Sequence, residues 1–222
     1  MNLTLFDLDG TLIPVDSDHA FGAFMVEVGW ADRTTWGARN DEFFAQYNAG
    51  QLDLPAYIEF ATSAWRHRPL EEALAMRARF AREVMEPALR PAARALIERH
   101  RAAGDLLAIV TATNEFVTTP FAQAFEVEHL LAVQLARDGQ GRYTGAIEGV
   151  PSFREGKIAR VEGWLQGLGA QWADFERVTF YSDSTNDLPL LERVSHPVAT
   201  NPSASLARIA AERGWPQLQL FA

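Results

Sequence analysis

Cysteine is absent from this chain of 222 residues. Its absence excludes disulfides, cysteine nucleophiles and cysteine-ligated zinc. It is typical of a reducing compartment, so we expect the protein to be cytoplasmic. Long apolar runs are also missing, since even the strongest, such as residues 106–110, fall far short of the roughly 18 to 20 residues that span a bilayer. We therefore expect no membrane segment.

Positive charge is scarce as well. Lysine and arginine number 20 against 29 aspartates and glutamates, which gives a formal net charge of −9. Such a chain repels polyanions and shows no basic patch, so we expect no nucleic-acid partner. Hydrophobic residues make up 48% and charged residues 22% of the chain. This composition excludes disorder and fibrous repeats and indicates a globular protein.

Three short, mostly apolar runs each end at a polar residue. They are residues 3–6 before Asp7, residues 106–110 before Thr111, and residues 178–181 before Ser182 and Asp183. Runs of this length fit strands that are buried on both faces of a parallel sheet. Helical patterns alternate with them, so the sequence predicts an α/β fold with a doubly wound, mostly parallel, Rossmann-like sheet.

The interval between the first two strands is far longer than a crossover requires. Apolar residues recur in it at helical spacing. The groups are Phe21, Phe24, Met25 and Val28; Leu54, Ile58, Ala61 and Trp65; and Leu70, Leu74, Phe80 and Val84. We therefore predict an α/β core domain of residues 1–14 and 88–222, with a helical cap of residues 15–87 inserted into it.

Further strands are expected in the second half of the chain. The stretch from Val133 to Thr144 has a glycine-rich turn at residues 138–141 between two apolar segments, which predicts a β-hairpin. Short strands are also expected near residues 197–200 and 217–221.

Two aspartates directly follow the first strand, in Phe6-Asp7-Leu8-Asp9-Gly10-Thr11-Leu12. Residues two apart point the same way until the chain turns at Gly10. We therefore expect Asp7 and Asp9 at the carboxyl edge of the sheet, where open α/β sheets bind ligands. The alternative is an Asp-Gly turn whose carboxylates only contact solvent.

A second acidic pair, Asp183 and Asp187, follows another predicted strand and should face the same crevice. Carboxylates gathered at partly buried positions raise each other's pKa and destabilise the fold unless a cation neutralises them. Oxygen ligands without histidine or cysteine suit Mg²⁺. The sequence thus predicts a Mg²⁺ site among Asp7, Asp9, Asp183 and Asp187. Alternatively, Asp187 only caps the helix that follows it.

Two further residues are candidates for binding an anion. Thr111 is expected to end the second strand just before a helix N-terminus, where backbone amides and the helix dipole favour negative charge. Lys157 lies in the first turn of a predicted helix, where the dipole disfavours a cation, and this indicates an anionic neighbour. The alternatives are a structural threonine and a solvated lysine.

The order of these residues, Asp-x-Asp-Gly-Thr, then Thr111, then Lys157, then Asp183 and Asp187, resembles the four motifs of the haloacid dehalogenase-like superfamily. The long helical insert resembles the C1-type cap. Within the superfamily, the cap position, the hairpin and the stretch from Asp183 to Leu188 are similar to the phosphoserine-phosphatase-like subfamily, subfamily IB.

A narrower similarity rests on three further stretches. They are Asp16-Ser17-Asp18-His19, Asn40-Asp41-Glu42-Phe43 and Arg213-Gly214-Trp215. These resemble a bacterial group that includes histidinol-phosphate phosphatases.

The resemblance implies a Mg²⁺-dependent phosphatase that hydrolyses a small phosphomonoester. Asp7 would be the nucleophile that forms an aspartyl-phosphate, and Asp9 the general acid and base. Mg²⁺ would be held by the Asp7 carboxylate, the Asp9 backbone carbonyl and Asp183, with Asp187 behind them. Thr111 and Lys157 would hold phosphoryl oxygens, and Asn186 would reach the substrate.

The chain departs from the subfamily pattern at two places that bear on the substrate. Thr111-Ala112-Thr113-Asn114 replaces a serine followed by glycines, which narrows the site and argues against phosphoserine. Asp16 stands nine residues after the nucleophile, where the subfamily has a longer acidic residue that contacts the substrate's ammonium group. We therefore predict an amino-alcohol or amino-acid phosphate, histidinol phosphate ahead of phosphoserine. Alternatively, Asp16 or Ser17 only caps the first cap helix.

Other functions use similar residues. A phosphomutase or phosphotransferase would need the same Asp7 and Asp9. A non-catalytic phosphate-binding regulatory module would need neither a nucleophile nor a general acid. A response-regulator receiver domain also combines aspartates, threonine and lysine, but it lacks the long insert.

Overall fold

A computed structural model describes residues 1–221. Its seven strands form one sheet in the order β4-β3-β2-β1-β5-β6-β7. The strands are β1 (Leu3–Phe6), β2 (Leu106–Asn114), β3 (His129–Arg137), β4 (Tyr143–Glu148), β5 (Val178–Ser182), β6 (His196–Thr200) and β7 (Gln217–Leu218). Every neighbouring pair is parallel except β3 with β4. The predicted doubly wound, mostly parallel α/β fold is confirmed.

Helices flank the sheet and fill the long interval after β1. In the described part of the chain they are α1 (Ser17–Glu27), α2 (Ala38–Asn48), α3 (Leu54–Ser63), α4 (Leu70–Phe80), α5 (Glu86–Ala88), α6 (Pro91–Ala102), α7 (Glu115–Ala124), α8 (Glu155–Gly167), α9 (Leu188–Arg193) and α10 (Ala204–Arg213). Two π-helical turns, Arg33–Gly37 and Ala81–Met85, precede α2 and extend α4. No helix within residues 1–221 is long and apolar enough to cross a membrane.

The central strand β1 explains where the site lies. Its residues are fully buried, and it pairs in parallel with β2 and β5 on its two sides. The carboxyl ends of these three strands therefore meet at one edge of the sheet. That edge is where Asp7 and Asp183 follow β1 and β5.

Helices α1 to α4 pack against the core through one continuous apolar cluster. Trp65 stacks on Phe116 of α7 with ring centroids 3.9 Å apart, and Phe21 of α1 meets Phe80 of α4 edge to face at 5.0 Å. Burial of such rings is worth about 1.5–3 kcal/mol each. Hydrophobic packing thus fixes the inserted helices over the sheet edge.

The apolar positions expected in α4 are only partly buried. Leu70 and Leu74 are 43% and 38% exposed, whereas Ala73 and Phe80 are buried. The expectation that Leu70 and Leu74 belong to the buried pattern is wrong, because the helix turns the Ala73 and Phe80 side toward the core.

The second strand is longer than its apolar run indicated. β2 continues through Thr111 to Asn114, and its pairing with β3 becomes irregular between Val110 and Asn114. Helix α7 starts only at Glu115, with Asn114 as its N-cap. Thr111 therefore lies within a strand, and its expected place next to a helix N-terminus is wrong. The hairpin β3–β4 and the two late strands are confirmed.

Candidate active site

A buried lysine lies between two carboxylates at the centre of the site. Lys157 of α8 is 1% exposed, and its Nζ is 2.8 Å from Asp7 Oδ1 and 2.8 Å from Asp187 Oδ2. Burial alone would lower the pKa of Lys157, but the charges of Asp187 and Asp7 outweigh it and raise that pKa above its ordinary value. Lys157 is therefore a buried cation and not a solvated lysine.

Asp187, the second partner of Lys157, is held by a further hydrogen bond from β5. Ser182, the last residue of β5, donates its hydroxyl to Asp187 Oδ2 at 2.7 Å. Although Asp187 precedes α9, its side chain makes no capping hydrogen bond to that helix. Its carboxylate instead faces Lys157, which argues against the capping alternative.

Asp7 and Asp183 are linked through one hydroxyl. Thr11 Oγ1 lies 3.3 Å from Asp7 Oδ2 and 3.4 Å from Asp183 Oδ1. Gly10 has a φ of +71°, and a Cβ there would collide with the Asp183 carboxylate. The Asp-Gly-Thr turn thus brings the carboxylate that follows β5 close to the one that follows β1.

The negative charges at this edge exceed the positive ones. Burial raises the pKa of Asp7 to about 7, with Lys157 opposing the rise. Burial, together with the charges of Asp7 and Asp187, raises the pKa of Asp183 well above its ordinary value. A cation is therefore electrostatically favoured beside Asp7 and Asp183.

Asp9 has its own hydrogen-bonding partners. Its Oδ1 accepts from the backbone N–H of Ser17 in α1 at 2.6 Å, and its Oδ2 accepts from Thr113 Oγ1 at 2.9 Å and lies 3.5 Å from Thr111 Oγ1. Burial and the neighbouring charge of Asp16 raise the pKa of Asp9 to about 7. Such a carboxyl can both donate and accept a proton near neutral pH.

The four aspartates predicted as metal ligands lie in one region with different orientations. Asp9 is bound by Ser17 and Thr113, and Asp187 by Lys157 and Ser182. Within residues 1–221, no three acidic or histidine side chains form a ready-made metal cluster. The side chains available to a cation are those of Asp7 and Asp183.

The cap helices and the sheet edge enclose a pocket above Asp7. The sheet edge contributes Asp7, Asp9, Thr111, Ala112 and Thr113. The opposite wall combines two carboxylates, Asp16 and Asp18, with the rings of Phe43, Phe44, Tyr47 and Tyr57. The pocket lining contains no lysine or arginine in the part of the chain that the structure describes. The histidine in the lining, His19, has its Nε2 2.7 Å from Asp41 Oδ1, so the pocket is predominantly acidic and aromatic.

Asp16 both caps a helix and faces the pocket. It is the N-cap of α1, and its Oδ1 accepts from His19 N–H at 2.7 Å. Burial raises the pKa of Asp16, and it makes no ion pair with a lysine or arginine among residues 1–221. The capping role that was open from the sequence is present, and it leaves the carboxylate in the pocket wall.

Asp18 is a pocket residue to which the sequence assigned no role. It accepts a hydrogen bond from Asn114 Nδ2 at 3.2 Å, and Tyr57 lines the same pocket. Burial, followed by the charges of Asp16 and Asp9, raises its pKa well above the ordinary value. The only available signal was its place two residues after Asp16 in an acidic stretch.

Asn186 does not line this pocket. Its Nδ2 donates to the backbone carbonyl of Tyr47 at 3.2 Å and so joins the loop after β5 to the end of α2. The amide nitrogen of Asn186 thus joins core and cap, and its contact with the substrate stays a prediction. Thr113, which bonds Asp9, is a site residue that sequence reasoning missed.

A parallel α/β sheet with an aspartate pair, a buried lysine and a helical cap at its carboxyl edge defines a phosphoryl-transfer hydrolase. Residues 4–192 match the haloacid dehalogenase-like hydrolase family, and the chain belongs to this family. It is 41% identical over 217 residues, 98% of both chains, to a histidinol-phosphatase of Neisseria meningitidis serogroup C (strain 8013). The chain is an enzyme, a phosphatase of this family.

Solved structures agree with the fold. A protein of unknown function from Bordetella pertussis Tohama I is 48% identical, with a TM-score of 0.92 over 99% of both chains. A substrate-bound phosphoserine phosphatase is 16% identical, with a TM-score of 0.66 over 98% of this chain and 92% of the other. At that identity the likeness concerns the fold alone.

Proposed function

We propose that this protein is a Mg²⁺-dependent phosphatase that hydrolyses a small, cationic phosphomonoester through an aspartyl-phosphate. Histidinol phosphate is the preferred substrate, and phosphoserine is second. The observation that carries the proposal is the pair Asp16 and Asp18, a half-buried and a buried carboxylate that both line the pocket above Asp7. We also propose a cytoplasmic location, since the chain has no cysteine.

The nucleophile is Asp7. One of its carboxylate oxygens is held by Lys157 and the other lies near Thr11, which fixes the group at the floor of the pocket. A carboxylate oxygen attacks phosphorus, the bond from phosphorus to the ester oxygen breaks, and an acyl phosphate forms. Lys157 stays protonated and offsets the added negative charge.

Asp9 moves the protons. In its protonated form it gives a proton to the leaving alkoxide. As a carboxylate it then takes a proton from the water that attacks phosphorus and releases Asp7 and phosphate. Its pKa of about 7 suits both steps, and the hydrogen bonds from Ser17 and Thr113 hold it in place. Thr111, fully buried in the pocket wall beside it, offers a hydroxyl to a phosphoryl oxygen.

The donor set fits Mg²⁺. Asp7 and Asp183 approach one hydroxyl, carry excess negative charge, and offer only oxygen ligands. The Asp9 backbone carbonyl would complete the protein ligands. Asp187 would not bind the ion directly, since its carboxylate is hydrogen-bonded to Lys157 and Ser182. When bound, the ion supplies positive charge that lets one anion approach another.

We expect hydrolysis of an aryl phosphate to require Mg²⁺ and to stop in EDTA, because Lys157 alone does not balance the carboxylates. Ca²⁺ should bind without supporting turnover, since its larger and more flexible coordination shell misplaces the reacting oxygens. Steady-state rates with each ion, and thermal melting to detect binding, measure this. Full activity in EDTA would contradict the metal assignment.

The pocket favours one amino-group substrate over the other. Histidinol phosphate offers an ammonium and an imidazole, two donors for the two carboxylates Asp16 and Asp18. Phosphoserine has an ammonium but also a carboxylate, which would meet these acids without a lysine or arginine in the described pocket lining. Like charges at close range cost free energy, so phosphoserine should bind less well.

Substitution of Asp16 or Asp18 by asparagine tests the cation site. Each loses a charge-assisted hydrogen bond of roughly 1.5–3 kcal/mol, so kcat/KM for histidinol phosphate should fall by about 10- to 150-fold. An uncharged aryl phosphate should be hydrolysed almost as before. Asparagine also caps helices, so Asp16→Asn should preserve α1.

Stability provides the control for these variants. The pKa of Asp18 is raised in the folded state, so its charge costs stability above its unfolded pKa. Asp18→Asn should therefore raise the melting temperature more at pH 8 than at pH 5.

Asp53→Asn, at the exposed N-cap of α3, should behave like the wild type in all assays. An equal loss with both substrates would exclude the two acids from substrate recognition.

A further inference from the structure

Tyr47, near the end of α2, is attached to the core beside the catalytic residues. Its backbone carbonyl accepts the hydrogen bond from Asn186 at 3.2 Å. Three residues later, the carbonyl of Gly50 accepts a hydrogen bond from the Arg154 guanidinium in the loop before α8. Asn186 directly precedes Asp187, and Arg154 directly precedes α8, the helix that carries Lys157. The two contacts hold the end of α2 directly over the site.

One of these contacts is made by a strained residue. Arg154 has φ +50° and ψ −124°, a conformation that is unfavourable for a residue with a Cβ. Such strain costs about 1–3 kcal/mol and persists only where the surroundings enforce it. The chain thus maintains an unfavourable backbone at the residue that holds the Tyr47 segment.

The aromatic side chain of Tyr47 separates two cavities. It lines the substrate pocket together with Asp7 and Thr111. It also lines the neighbouring cavity, whose wall includes Asp9, Gly10 and Asp183. Tyr47 therefore lines both the space above Asp7 and the space next to Asp183. The side chains of Asn186 and Arg154 donate to the backbone carbonyls of Tyr47 and Gly50, so these two hydrogen bonds do not involve the Tyr47 phenol.

The phenol of Tyr47 is a free donor. No hydrogen bond joins it to another group within residues 1–221, although four carboxylates are near. Burial, followed by the charges of Asp7, Asp187 and Asp183, raises its pKa well above the ordinary value. The phenol therefore keeps its proton at neutral pH. A donor that lines a pocket without a protein partner is free to bond an acceptor that a ligand supplies.

We propose that the Tyr47 hydroxyl donates a hydrogen bond to a phosphoryl oxygen at Asp7, and thus that the cap supplies part of the phosphate-binding site. Phosphate oxygens are the acceptors that the substrate brings to this place. Lys157 and Thr111 bind from the sheet side and Tyr47 from the cap side. The inference rests on the proposed phosphatase chemistry at Asp7, but not on the identity of the leaving group.

Tyr47→Phe removes only the hydroxyl and is the test. A hydrogen bond to a charged group is lost, so kcat/KM should fall by about 10- to 100-fold, and equally for an aryl phosphate and for histidinol phosphate. The Kd of inorganic phosphate, measured by calorimetry with Mg²⁺ present, should rise by a similar factor. Tyr143→Phe is the matched control, because this hydroxyl bonds Arg137 in the hairpin, away from the site.

Three outcomes separate this inference from its alternatives. Unchanged phosphate affinity in a normally folded Tyr47→Phe variant would overturn it. A loss confined to histidinol phosphate would also overturn it, since the hydroxyl would then serve the leaving group. If Asp16→Asn and Asp18→Asn leave substrate preference intact while Tyr47→Phe weakens phosphate binding, the cation proposal fails and this inference stands.

Discussion

Asp7→Asn is expected to lower turnover of every phosphomonoester by at least about 10,000-fold. An amide oxygen is a poor nucleophile, so no acyl phosphate forms. The substitution also removes one of the two charges that hold Lys157, whose Nζ is 2.8 Å from Asp7 Oδ1. The lysine keeps Asp187 as a partner, so the variant should fold.

Mass spectrometry of acid-quenched enzyme measures the intermediate directly. The wild type mixed with an aryl phosphate should gain the mass of one phosphoryl group, and Asp7→Asn should gain none. Asp53→Asn, which keeps its capping function on the exposed surface, should be phosphorylated like the wild type. Turnover above a trace in Asp7→Asn would show that another residue is the nucleophile.

The fold could be predicted from the sequence where burial determines residue type. Strands buried on both faces must be apolar, and polar residues appear where such a strand leaves the sheet, as at Asp7 and Asp183. The same logic failed at Thr111, because β2 continues past its apolar run in irregular pairing with β3. Pairing with a neighbouring strand is a tertiary property that a single strand's sequence does not contain.

The site was predictable in its motif residues and less so in its cap residues. Asp7, Asp9, Lys157 and Asp187 come together because short motifs fix them at strand and helix ends. Asp18 meets Asn114 across 96 positions of the chain, and only the packing of α1 against α7 creates that contact. Tyr47 likewise reaches the pocket only because α2 packs over the sheet edge, and its own sequence neighbourhood does not indicate this.

Lys157→Met is expected to cost about 3–5 kcal/mol of unfolding free energy, because it leaves the buried carboxylates Asp7 and Asp187 without their shared cation. Methionine fills a similar volume, so lost packing contributes little. Activity should fall by at least about 1,000-fold, since the charge that offsets the phosphoryl group is gone.

The double variant Lys157→Met with Asp187→Asn separates the two effects. Removing one of the stranded charges should restore part of the stability, and Ser182 can still donate to the asparagine oxygen. Activity should not return, because no cation then stands beside Asp7. Urea unfolding in EDTA measures the first effect, and aryl phosphate hydrolysis in Mg²⁺ measures the second.

If Lys157→Met alone is as stable as the wild type, the lysine does not neutralise the two carboxylates. If the double variant regains activity, the role of Lys157 is confined to balancing Asp187, and phosphoryl binding falls to Thr111 and Tyr47.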